Sequence, residues 1–236
     1  EQFATRQGAK HFQGRSTADL NALAARLGWT PSFPSFDRST LDLCDEARQR
    51  DVGVAEHVVE QLRTGALRFA AEDPDAPENF PRVLTMWRTN LLGSSNKGHE
   101  YVLKHLLGVE DAAIRNDEVA PDQRPLDLTW RDPAPIGKLD LLVTLDFRKS
   151  GSCLYSDIVL PAATWYEKHD LSTTDLHPFV NSFNPAIAPP WETRTDWDIF
   201  STIAQRFSEL AREHLGVRSD VIAAPLLHDT PDQLAP

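Results

Sequence analysis

The sequence predicts an α/β fold, a mainly parallel sheet with flanking helices, preceded by a helical segment. Three observations carry that expectation. A β-prone run at 83–89 leads into a small polar loop and then a helix-like stretch, which is half of a β-α-β unit. A mostly apolar run at 139–147 has the texture of a strand buried on both faces of a parallel sheet. Before residue 80 the apolar spacing is helical instead. A seam near 73–80 divides the chain into a helical leading segment at 1–80, an α/β region at 81–216 and an extended tail at 217–236.

In the leading segment, Ser16 and Asp19 form a capping-box pattern, and Leu20, Leu23, Ala24 and Leu27 keep helical spacing up to a stop at Gly28. After a Pro-rich loop, a second helix is expected at 54–62, with Val54, Val58, Val59 and Leu62 on one stripe and Gly65 ending it. Such stripes ordinarily pack into a core. The strand at 83–89 is followed by the loop at 90–97 and a helix at 98–107, on which Tyr101, Val102, His105 and Leu106 share related faces. A short strand at 157–160 runs into Pro161. Thr195 with Asp198 forms another capping box, opening a helix whose apolar stripe, from Trp197 through Phe207 to Ala211, stops at Gly216.

The 236 residues, 41% hydrophobic and 25% charged, have the balance of an ordinary globular protein large enough for a core without staples. A net charge of −11 repels phosphate backbones, which argues against nucleic acid as a partner. No run approaches the roughly 20 apolar residues of a direct membrane span. Cys44 and Cys153 are the only cysteines. They form no zinc or iron–sulfur motif and are expected to be reduced, in a cytoplasmic protein. With Met86 the sole methionine and Glu1 at the start, the polypeptide is expected to be processed or incomplete.

Chemistry in such folds gathers at the carboxyl ends of the strands. Three segments qualify. The first runs from Asn90 to Gly98 and offers two glycines, hydroxyls, amides and Lys97 just before a helix. Phosphate binding and plain helix capping are both compatible with it. Gly93 and Gly98 have Walker A separation, but His99-Glu100 stands where Lys-Ser/Thr is required, so ATP hydrolysis is disfavoured, and no GxGxxG is present for a nicotinamide cofactor. The second is the turn around Asp146 and Arg148, where a carboxylate at a strand end suits a purine edge or ribose and the cations suit an anion. The third carries Thr164 and Glu167, which also fit a structural corner. His169, Asp170, Asp175 and His177 lack metal-ligand spacing, so no metal site is expected, and no GxSxG elbow supports a hydrolase.

Three runs of residues closely resemble the respiratory, membrane-associated nitrate reductase alpha subunits of the molybdopterin oxidoreductase family. They are Trp-Arg-Thr-Asn-Leu-Leu-Gly-Ser-Ser-Asn-Lys-Gly-His-Glu-Tyr at 87–101, Lys-Leu-Asp-Leu-Leu-Val-Thr-Leu-Asp-Phe-Arg at 138–148, and Cys-Leu-Tyr-Ser-Asp-Ile-Val-Leu-Pro-Ala-Ala-Thr-Trp-Tyr-Glu-Lys at 153–168. The likeness extends to 65–72 and 175–179, so the chain looks like an interior fragment. It implies an oxidoreductase that reduces nitrate to nitrite, with electrons passing from quinol through iron–sulfur clusters. The implied cofactor is bis-molybdopterin guanine dinucleotide with molybdenum.

Carried onto this sequence, the resemblance makes Asn90, Gly93, Ser94, Ser95, Lys97 and Gly98 candidates for the phosphate side of the cofactor. Asp146 and Arg148 fall to the guanosine portion, Thr164 and Glu167 to the pterin side, and His177 to a substrate funnel. No catalytic residue is expected, because in that family the molybdenum ligand and the iron–sulfur cluster belong to an N-terminal part this chain lacks, so the isolated chain should be inactive. Implied partners are the remainder of the alpha subunit, an iron–sulfur beta subunit and a quinol-oxidising membrane gamma subunit, which would hold it at the inner face of the cell membrane. A non-catalytic remnant or scaffold and a stand-alone guanine-nucleotide-binding module are the alternatives.

Overall fold

The computed structural model describes residues 14–26, 36–94, 98–110 and 119–218, which form two units. The first unit holds the described residues among 1–80, 119–135 and 217–218, and the second those among 81–110 and 136–216.

The first unit is helical. Helix α1, Thr17–Arg26, opens on the expected reciprocal cap: the Asp19 N–H donates to Ser16 Oγ at 3.2 Å and the Ser16 N–H to Asp19 Oδ2 at 3.0 Å. Its buried side is offset from the apolar stripe and consists of Asp19, Ala22 and Ala25. Asp19 turns inward because its other oxygen accepts the Asp127 N–H at 2.6 Å. Helix α2, Thr40–Gln49, which the periodicity did not reveal, packs Leu43, Cys44 and Ala47 into the interior beside α3, Val54–Thr64. Gly65 ends α3 in the left-handed conformation, φ 74°, as anticipated. The buried residue of α3, however, is His57, while Val59 faces out. His57 Nε2 lies 3.0 Å from Glu46 and Nδ1 3.3 Å from Arg50, and these polar contacts make its burial tolerable. Asp73, also buried, takes a forked pair of bonds from Arg131 at 2.9 and 2.7 Å, which ties the 119–135 excursion to this unit.

The second unit carries a three-stranded parallel sheet in the order β1-β2-β3: β1 is Val83–Trp87, β2 is Leu141–Asp146 and β3 is Ile158–Pro161. Val83 pairs with Leu141, and Val143 with Ile158. The central position of β2 explains its apolar run: Leu142, Thr144 and Leu145 are buried, whereas β1 and β3 each leave residues exposed. Leu145, Ala162 and Ile199 form the core cluster. Between β1 and β2, the helix expected at 98–107 is a π-helix, Tyr101–Leu106, whose wider turn is closed by the Leu107 N–H on the Val102 carbonyl at 2.9 Å. Its last carbonyls receive the N–H groups of Lys138 and Leu139, which aims the chain into β2.

After β3 the chain forms an antiparallel hairpin, β4 at Asp170–Thr174 and β5 at His177–Phe183, in a stretch where the sequence pattern signals no strand. The last helix, labelled α6 below the two short helices α4, Leu91–Ser94, and α5, Gly151–Leu154, is Asp196–His214. Its Thr195 cap accepts the Asp198 N–H at 3.1 Å, as the spacing predicted. Only Asp196 and Ile199 of this helix are buried, and Trp197, Ile203 and Phe207 are exposed. Periodicity identifies which residues share a face, but not whether anything lies against it.

Candidate functional site

Because all three strands are parallel, the loops that follow them leave the sheet at one end. Those loops contain most of the candidate residues.

The loop after β1 carries Asn90, whose carbonyl accepts the Gly93 N–H at 3.1 Å at the start of α4. The loop after β2 carries Asp146, Phe147 and Arg148 and enters α5. The two loops meet through Ser152, which is fully buried: its hydroxyl accepts the Leu92 N–H at 3.4 Å and donates to Asn90 Oδ1 at 3.5 Å. Backbone approach here depends on glycine. A Cβ on Gly93 would lie 2.2 Å from the Asn90 side chain, and one on Gly151 would lie 3.3 Å from Asn90 Oδ1 and 3.9 Å from the Gly93 Cα. Gly98, at φ 70°, has the left-handed backbone that favours glycine. Ser94 closes α4, whereas Ser95 and Lys97 lie outside the described residues.

Asp146 and Arg148 line a cavity of about 370 Å³, together with Phe147, Lys149, Pro161 and Trp191. Asp146 Oδ1 accepts the Arg148 N–H at 3.3 Å, and the Arg148 guanidinium lies 5.2 Å from the centre of the Phe147 ring. The buried thiol of Cys153 sits 3.6 Å from the Arg148 carbonyl.

The loop after β3 holds Thr164 and Glu167 at opposite ends of one 3₁₀ turn, Trp165–Glu167. The Thr164 N–H donates to Glu167 Oε2 at 2.8 Å, so the carboxylate caps its own turn. Trp165 meets Phe147 with ring centres 5.3 Å apart, which joins this loop to the one before it. His177 stands elsewhere, exposed at the start of β5 beside Phe179, and does not line the cavity.

Sequence reasoning passed over a group of charges at the same strand ends. Arg88, the first residue after β1, has φ 53°. Its guanidinium donates to both oxygens of Asp196, the first residue of α6, at 3.2 and 2.7 Å. Asp196 also accepts from Trp87 Nε1 at 2.9 Å and from Lys168 Nζ at 2.6 Å, and Lys168 pairs with Asp170 as well. Burial pushes the Asp196 carboxyl up, but the Lys168 and Trp87 hydrogen bonds and the Arg88 charge outweigh it and hold the group below its ordinary value. Arg88 and Asp196 are 108 positions apart, and no local spacing signals such a pairing. Among the described residues, no cluster of three or more His, Cys, Asp or Glu side chains is arranged to hold a metal, and no helix is long and apolar enough to cross a membrane.

The chain is similar to known proteins along most of its length. Residues 9–206 match the family model described as molybdopterin oxidoreductase. The chain is 52% identical over 235 residues to the nitrate reductase alpha subunit of Mycobacterium tuberculosis, an alignment covering 100% of this chain and 19% of that protein. It is 54% identical over 225 residues to the nitrate reductase alpha chain of Bacillus subtilis, covering 92% and 18% respectively. Against the perchlorate reductase alpha subunit of Dechloromonas aromatica it is 37% identical over 136 residues, covering 58% of this chain and 11% of that one. The chain thus spans about a fifth of the length of the nitrate reductase subunits it matches.

Proposed function

The chain belongs to the molybdopterin oxidoreductase family, and from that premise we propose that it is the part of a respiratory nitrate reductase alpha subunit that cradles a bis-molybdopterin guanine dinucleotide. The observation that carries this reading is the cavity of about 370 Å³ at the strand ends, which contains both Asp146 and Arg148. At that size it suits one portion of the group, on the scale of a guanosine, and not the whole of it.

The residues present fit the group chemically. The bare backbone at Gly93 and Gly151 lets the loops after β1 and β2 pack around the Asn90 side chain, Asp146 and Arg148 serve the guanosine portion, and the Asp146 carboxylate can accept from the N–H edge of a guanine. Asn90, Ser94, Ser95, Lys97 and Gly98 serve the phosphate side, Thr164 and Glu167 the pterin side, and His177 the substrate funnel. When bound, the group supplies the two-electron chemistry that converts nitrate, with two protons, to nitrite and water. This chain contributes binding, orientation and electrostatics. Electrons arrive from quinol through a membrane gamma subunit and then an iron–sulfur beta subunit, at the inner face of the cell membrane.

The test is elemental and guanine analysis of the native polypeptide. Wild-type protein should carry molybdenum and guanine, and the double substitution D146A/R148A should lose most of both. Undiminished contents in the variant would remove Asp146 and Arg148 from the site. A native mass of 26.4 kDa with neither molybdenum nor guanine would favour the scaffold alternative.

A further inference from the structure

Arg88 combines two features that a purely structural ion pair does not require. It occupies a left-handed backbone conformation, φ 53°, which costs any residue with a Cβ and which glycine or asparagine adopts more readily. Its side chain is also engaged on every side. The guanidinium forks onto Asp196 at 3.2 and 2.7 Å, donates to the Ala163 carbonyl at 2.9 Å, and lies 5.6 Å from the Phe147 ring centre and 5.9 Å from that of Trp165. Phe147 begins the loop after β2, Ala163 and Trp165 belong to the loop after β3, and Arg88 itself begins the loop after β1. One planar side chain therefore touches all three strand-end loops and the first residue of α6.

Charge balance within the cluster is complete. Arg88 and Lys168 are matched by Asp170 and Asp196, so the cluster leaves no spare cation for a phosphate. Its effect on a ligand must come through the loops it joins.

We infer that Arg88 is the positioning residue of the crevice: by forking onto Asp196 and Ala163 and lying against Phe147 and Trp165, it sets the separation of the three loops between which the dinucleotide fits. The inference rests on the reading of this crevice as a pterin-dinucleotide site. Geometry matters here more than charge. A lysine ammonium at position 88 would still neutralise Asp196, but a single compact donor has no planar fork to span a carboxylate and a carbonyl while resting on two rings.

The experiment compares native polypeptide, wild type and Arg88→Lys, after gel filtration. Molybdenum and acid-released guanine are counted per polypeptide, and circular dichroism reports the fold. Arg82→Lys, the same change in the exposed Arg82–Asp140 pair at the opposite end of β1, is the control. The expected result is an unchanged dichroism spectrum for both variants, full contents in Arg82→Lys, and a roughly tenfold joint loss of molybdenum and guanine in Arg88→Lys, the scale on which supporting-residue changes weaken bound groups. Wild-type contents in Arg88→Lys would overturn the inference. So would loss of its dichroism spectrum, because Arg88 would then hold the fold itself. If the wild type carries neither group, the reading of the crevice fails, and the role of Arg88 fails with it.

Discussion

Strand β1 ends in an arginine–aspartate pair at both ends, and the two pairs differ in almost everything except their chemistry. At the amino end, Arg82 Nε meets Asp140 at 2.6 Å with both side chains more than half exposed. At the carboxyl end, Arg88 meets Asp196 at 2.7 Å with 17% and 11% exposure, and the same carboxylate also serves Trp87 and Lys168. The first pair is solvated and isolated. The second is desolvated and shared, and it sits at the end of the sheet where the loops converge. Contact distance alone would rank the two pairs alike; burial and the number of partners separate them.

The largest expected effect is at Asp196. Asp196→Ala would leave the buried Arg88 guanidinium without its carboxylate and only Asp170 to balance Arg88 and Lys168, and we expect a loss of about 3 kcal/mol in urea unfolding followed by tryptophan fluorescence. A loss no larger than that at Arg82 would erase the distinction between the two ends.

A smaller effect is expected from acid. The folded-state pKa of Asp196 is lowered, so its contribution to stability is fully present above the unfolded value of 3.8 and disappears as pH falls below that value towards the folded one. Asp73, held low chiefly by its Arg131 hydrogen bonds, and Asp170, held low chiefly by Lys168, act in the same direction. Unfolding midpoints measured against pH should therefore be insensitive to these groups from pH 5 to 7 and should fall below about pH 4, with a shallower fall in Asp196→Asn. An acid limb of equal steepness in that variant would mean that Asp196 contributes nothing to it.

The smallest effect belongs to the amino end. Arg82→Ala should change stability by less than about 0.5 kcal/mol, as exposed pairs generally do. A cost of several times that value would show that the solvated pair matters as much as the buried one.

What the sequence disclosed follows the range of the interactions. The strand pattern from Val83, the apolar run of β2, the Thr195–Asp198 cap and the Gly65 stop are local signals, and each element formed where its signal lay. The α/β class followed from them. The β4–β5 hairpin was missed because its residues are nearly all exposed and show no inward-facing alternation. The buried faces of α1 and α3 differ from the apolar stripes because Asp19 and His57 go inside for polar partners on other segments, Asp127 for the first and Glu46 and Arg50 for the second. Asp146 and Arg148 were legible as chemistry at a strand end. Arg88, Lys168 and Asp196 were not, since their meaning depends on a bond across 108 positions and a backbone angle that no spacing encodes.

The route from β1 to β2 also governs the order of assembly. Strand β3 needs only the short α5 turn to find β2, whereas pairing Val83 with Leu141 requires closing a long loop of which residues 119–135 belong to the other unit. Loop closure of that length is entropically costly and slow, so β2-α5-β3 should form first as a local nucleus, with β1 docking late. Arg88 arrives with β1. On that order the crevice should be among the last features to form, and a ligand that needs it would meet a nearly finished protein instead of guiding the early chain.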